Sequence, residues 1–157
     1  MLPQLNLLLL LLAFCNPAQA LSIGIPKALI DKAVIAKFPK EKLSVKLENP
    51  STSFSKERQR IELCGNWSSK LAQKAGDFCI DFQPLWNKAK GDIVLSKLNI
   101  LKLTAGDEKS LSPTLAATLN STLLTLLDGT SLYHVPDMVG KHLENIELQE
   151  SSFKLVF

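Results

Sequence analysis

Three cysteines and two histidines are the residues of this chain best suited to nucleophilic, redox or metal chemistry: Cys15, Cys64, Cys79, His134 and His142. Their spacing spells out none of it. No C-x-x-C brings two thiols together and no H-E-x-x-H pairs the histidines, so neither a thiol redox motif nor a zinc set is written in the chain. G-x-S-x-G, P-loop and G-x-G-x-x-G patterns are absent as well. His134 alternates with Tyr133 and Val135 in a strand-like stretch and His142 follows Lys141, so both read as ordinary strand or surface residues. Asp77 and Asp81 could pair as carboxylates, but solvation on a strand face explains them more simply. Asn66-Trp67-Ser68 and Asn120-Ser121-Thr122 match the glycosylation triplet, which carries no catalytic chemistry. With no nucleophile set beside a base, the chain is expected to be no enzyme and to need no cofactor or metal.

Cys64 and Cys79 have an informative setting. In RIELCGNW, Ile61, Leu63 and Trp67 alternate with Glu62, Cys64 and Asn66; in DFCIDFQ, Phe78, Ile80 and Phe82 alternate with Cys79, Asp81 and Gln83. A period of two marks half-buried strands, and both cysteines fall on the polar faces. A hairpin turning near Leu71 and Ala72 places Cys64 opposite Cys79, so a cross-strand disulfide is expected if the chain reaches an oxidising compartment.

The N-terminus implies that it does. Leu5 to Phe14 has the length of an apolar signal-peptide core, too short to span a bilayer, although no Lys or Arg precedes it. Two endings compete. Ala18-Gln19-Ala20 offers small side chains for cleavage between Ala20 and Leu21, whereas Cys15 is a candidate for lipid attachment. Bulky Phe14 stands where a lipobox needs a small residue, so release after Ala20 is the preferred reading, with a lipid anchor on Cys15 as the alternative.

Residues 1–20 are then a signal peptide and residues 21–157 one domain, long enough for a modest core. The first 20 residues carry no charged side chain, so the domain keeps the balance of 18 basic against 15 acidic residues. That excess is mild and its lysines are dispersed, which argues against nucleic acid as a partner.

Helical and extended segments alternate along the domain. After an extended piece at Ser22 to Ile25, Pro26 opens an amphipathic helix with Leu29, Ile30, Ala33, Val34 and Ala36 at helical spacing. Strands are expected near Leu43 to Glu48, at the cysteine hairpin, at Asp92 to Leu103, and in SLYHV, NIELQ and FKLVF. Breaks fall at Gly91, Ala105 to Lys109, Gly129 and Asp137 to Gly140. SPTLAATLNSTLLTLLDG carries the clearest helix boundaries, with Ser112 as N-cap, Pro113 first and Gly129 just past the end. Its Leu115, Ala116, Leu119, Leu123, Leu126 and Leu127 form one arc. Thr118, Ser121, Thr122 and Thr125 lie opposite, and no charge comes before Asp128. A surface helix ordinarily carries Lys or Glu there, so this helix is expected to be embraced by the sheet or to face an apolar groove.

From Ile23 to Phe157 the chain resembles the YceB-like family of bacterial envelope proteins, many of them lipoproteins. The resemblance is carried by the helix to Phe38, VKLENPSTSF leading into RIELCG, PLWNKAKGDIVLSKLNILKL, LYHVPD and GKHLENIELQESSFKLVF. It implies an α+β fold, similar to the tubular lipid-binding superfamily: a curved antiparallel sheet wrapped around the long C-terminal-half helix, with an N-terminal amphipathic helix. Phe14 and the Cys64/Cys79 pair depart from the family pattern. The corresponding function is a periplasmic protein of a Gram-negative bacterium that binds a phospholipid, fatty acid or other long apolar ligand. Its lining would be Leu115, Leu119, Leu123 and Leu126 with Ile61, Leu63, Phe78, Ile80 and Phe82, at about 0.8 kcal/mol per buried methylene. The alternative is an envelope assembly or interaction factor that holds a protein partner and uses the same residues only as core. A filled interior favours this second reading. A secreted hydrolase is the weakest reading, for want of a nucleophile and base.

Overall fold

The computed structural model of the chain describes residues 22–106 and 111–157. The segment expected to be a signal peptide, with Cys15 and the Ala20/Leu21 junction, lies outside these residues. The elements run β1 (Ser22–Pro26), α1 (Lys27–Ala36), β2 (Lys40–Lys42), β3 (Val45–Ser55), β4 (Arg60–Ser69), β5 (Lys74–Asn87), β6 (Asp92–Leu103), α2 (Pro113–Leu127), β7 (Ser131–His134), α3 (Asp137–Gly140), β8 (Asn145–Leu148) and β9 (Ser152–Val156). Strands β2 to β7 form one six-stranded antiparallel sheet in chain order, and β1, β9 and β8 form a second of three.

The β4–β5 hairpin is the centre of the fold. Its alternation buries Ile61, Leu63 and Trp67 from one strand and Phe78, Ile80 and Phe82 from the other, with Ile61 opposite Phe82 and Leu63 opposite Ile80. Trp67 pairs with Gly76, and the missing side chain lets the Thr104 main chain pass over that position. The Trp67 indole donates to the Thr104 carbonyl oxygen at 2.7 Å, which satisfies its only polar atom inside the core. Register breaks between Glu48 and Ser51, between Cys79 and Ile80, between Asp81 and Gln83, and between Ile93 and Val94 bend the strands and curl the sheet.

The expected α+β architecture is not the one observed. The molecule is mostly β, and among the described residues no long helix stands for the curled sheet to wrap around. Helix α2 has the expected boundaries, with the Ser112 hydroxyl accepting from Leu115 N–H and Gly129 at φ +70° after the last turn. At 15 residues it spans only about 22 Å. It buries one stripe, Leu119, Leu123 and Leu127 with Thr122, and turns Thr118, Ser121 and Thr125 to solvent, with Leu124 at 40% exposure. The missing charges misled because the hydroxyls are satisfied within the helix: Thr118, Thr122 and Thr125 donate to the carbonyls four residues back at 2.8 to 3.0 Å. A wet helix face therefore needs no Lys or Glu. The expected N-terminal helix is present as α1, which buries Ile30 and Val34 against the sheet. The 137–140 segment, expected as a break, is the single turn α3.

Candidate functional site

The nine residues expected to line a groove all belong to one apolar cluster. Ile61, Leu63, Phe78, Ile80, Phe82, Leu119 and Leu123 are buried, while Leu115 and Leu126 are half-buried against them. Among the described residues the space between them is small. The one cavity described at this core holds about 20 Å³, between Val34, Phe38, Leu63, Phe82, Leu95 and Leu127. That is room for a single water, against several hundred Å³ for a drug-sized ligand. Lys40 stands at its rim, where burial, and then the charge of Lys37, holds its ammonium below the usual lysine range.

Cys64 and Cys79 are directly opposed and disulfide-bonded, their Cα atoms 4.1 Å apart, with the turn between them at residues 70–73. The bond is compatible with an oxidising, exported compartment. A Glu62 carboxylate oxygen lies 3.3 Å from Cys64 Sγ, and these three residues are the only described His, Cys, Asp and Glu groups close enough to share an ion. Sulfurs bonded to each other offer no thiolate, so the oxidised trio is not a metal site.

The polar face of the hairpin departs from expectation at Asp81. It is buried rather than solvated, because Arg60 Nη2 reaches Oδ1 at 2.8 Å, Asn99 Nδ2 reaches Oδ1 at 3.1 Å and Arg58 Nη1 reaches Oδ2 at 3.4 Å. Burial by itself raises a carboxyl group, but hydrogen bonds from Arg60 and Asn99 and the two guanidinium charges outweigh it and hold Asp81 below the usual carboxylate range. Asp77 lies apart in a chain of amides, accepting from Asn66, which accepts from Asn49. The two aspartates thus form separate structural contacts. His134 Nδ1 sits 2.7 Å from Asp92 Oδ1 across the β6–β7 pair, and among the described residues no hydroxyl or thiol is bonded to that imidazole. His142 is exposed.

The larger concavities lie outside the core. A groove of about 220 Å³ with almost wholly apolar walls runs between β1 and β7, the end strands of the two sheets, lined by Ile23, Leu29, Tyr133, Val135, Val139 and Leu155. Lys27 N–H donates to the Ser151 carbonyl, so the antiparallel alternation turns Ile25 and Ile23 toward β9 and leaves the Gly24 main chain on the open edge. A second groove of about 490 Å³ follows the free edge of β8 beside Pro84, Leu85 and Trp86. A third, of about 420 Å³, opens over Trp86 between the β5–β6 turn and α3. Sequence reasoning missed all three. Each is assembled from segments far apart in the chain, and only the Lys-x-Lys turn in WNKAKG hinted at the last.

Comparison of the chain with protein-family models and with curated proteins finds no match.

Proposed function

We propose that this is a non-enzymatic protein of an oxidising, exported compartment, the periplasm of a Gram-negative bacterium, and that it holds an extended apolar segment of a protein partner along β1. The observation that carries this reading is the contrast between the cavity described at the core, with about 20 Å³ of space, and an open apolar groove of about 220 Å³ at an unpaired sheet edge. Strand addition at such an edge draws affinity from main-chain hydrogen bonds and specificity from pockets for alternate side chains. Gly24 supplies the free main chain, and Ile23 and Leu29 supply exposed apolar contact. Pro26 lacks an N–H and limits the pairing to the start of the strand. The resemblance to YceB-like envelope proteins, itself part of this proposal, supports the compartment.

The test is a photoreactive amino acid placed at Leu29, and at exposed Leu71 as control, in the producing cell. One discrete adduct from Leu29, lost on Val139→Asp and missing from Leu71, is the expected result. No adduct, or the same adducts from both positions, removes the reading.

A second reading keeps the apolar ligand, phospholipid or fatty acid, between sheet and helix. It is supported by the convergence of the nine expected residues in one cluster, and it requires α2 to move away from the sheet. Native mass spectrometry of protein isolated without detergent decides it: a lipid adduct establishes the reading, and a bare chain ends it.

A further inference from the structure

The cleft over Trp86 has a chemistry unlike the rest of the surface. Asn87 Oδ1 accepts from Lys90 N–H and Asn87 O from Gly91 N–H, which folds the β5–β6 turn so that Lys88 and Lys90 stand on one side. Lys141, just after α3, stands on the other. Three lysines thus line a space of about 420 Å³ with one acidic residue, Asp137. None of the three has an ion-pair partner among the described residues. Trp86 is half-buried in this cleft, and its Nε1 is buried with no hydrogen-bond acceptor among the described residues, so the indole retains an unsatisfied donor. Gly140 packs on the edge of the same ring, where a Cβ would lie 3.3 Å from Cη2.

A large apolar side chain stands beside this charge. Met138, between Asp137 and Lys141 in sequence on the turn of α3, is 85% exposed. Lysines flanking an aromatic ring and a projecting apolar side chain match the boundary of a membrane, where ammonium groups meet phosphates and apolar groups enter the layer below.

We propose that this cleft docks the protein on an anionic lipid surface, with Lys88, Lys90 and Lys141 meeting headgroup phosphates and Met138 entering the interface. The proposal is independent of the groove at β1, because the two sites use different walls apart from Val135. It is tested by flotation of the mature protein with vesicles of phosphatidylglycerol and phosphatidylcholine, and with vesicles of phosphatidylcholine alone. Binding only to the anionic vesicles is expected, weakened roughly a hundred-fold by Lys88→Glu, Lys90→Glu and Lys141→Glu together. A control carrying Lys42→Glu, Lys70→Glu and Lys102→Glu has the same net charge, alters exposed lysines elsewhere, and should keep binding. Equal loss in the control reduces the effect to net charge and overturns the site. Absence of vesicle binding overturns it too, and if inorganic phosphate then changes the tryptophan fluorescence, the cleft serves a free anion instead of a membrane.

Discussion

Gln59 makes to Leu148 the two hydrogen bonds that a neighbouring strand would make. Its Oε1 accepts from Leu148 N–H and its Nε2 donates to the Leu148 carbonyl, both at 2.9 Å, so one side-chain amide closes part of the free edge of β8. Open edges invite pairing between molecules, and a side chain that occupies the edge discourages it. Gln59→Ala is expected to lower stability by about 1–2 kcal/mol and to promote self-association at high concentration. Urea unfolding and light scattering read the two effects; an unchanged midpoint with a monodisperse sample would show that the contact does neither.

The disulfide is expected to contribute about 3 kcal/mol through the loop that it closes. Replacing Cys64 and Cys79 together by serine, or adding a reductant, should lower the unfolding free energy read from urea melts by that amount in both cases. A reductant that shifts the double variant as much as the parent would refute this account.

The pH dependence of stability should carry the signature of Asp81. Its carboxyl titrates below the usual value of about 4 in the folded protein, so its contribution is whole above that value and disappears as pH falls through the folded value. Asp81→Ala should cost about 1–3 kcal/mol at pH 7, since it removes a buried acceptor that holds Arg60, Asn99 and Arg58 together. The gap between parent and variant should close on acidification below pH 4. A gap that is the same at pH 7 and pH 3 would assign the loss to packing.

Two glycines in strands should respond unequally to alanine. A Cβ on Gly76 would lie 1.7 Å from the Thr104 carbonyl oxygen, the same atom that receives the Trp67 indole, so Gly76→Ala should destabilise by about 3 kcal/mol or more. Gly24→Ala meets nothing closer than 4.0 Å and should leave the melting temperature almost unchanged. Thermal melts of both variants make the comparison.

On α2, Leu119→Ala should cost about 3 kcal/mol, as for a fully buried leucine. Leu124→Ala, on the wet side, should stay within about 0.5 kcal/mol. Similar losses at both positions would mean that the helix is enclosed in solution, as its lack of charge first suggested.

Side-chain periodicity alone determined the local relationships. It put Ile61, Leu63, Phe78, Ile80 and Phe82 on one face and Cys64 opposite Cys79, because a hairpin of regular strands leaves little freedom in register once its turn is placed. Capping chemistry fixed the ends of α2 for the same local reason. Whether the polar side of α2 was buried could not be read this way, because threonines that bond their own helix look the same in sequence whether water or protein lies beyond them. Asp81 occupies a polar strand position, and its burial depends on Arg58, Arg60 and Asn99 arriving from other parts of the chain. The grooves are a matter of tertiary structure altogether. The curl of the sheet and the packing of the elements around it bring Leu29 and Val139 to one groove and Lys88 and Lys141 to another, over sequence separations at which no periodic pattern in the chain carries information.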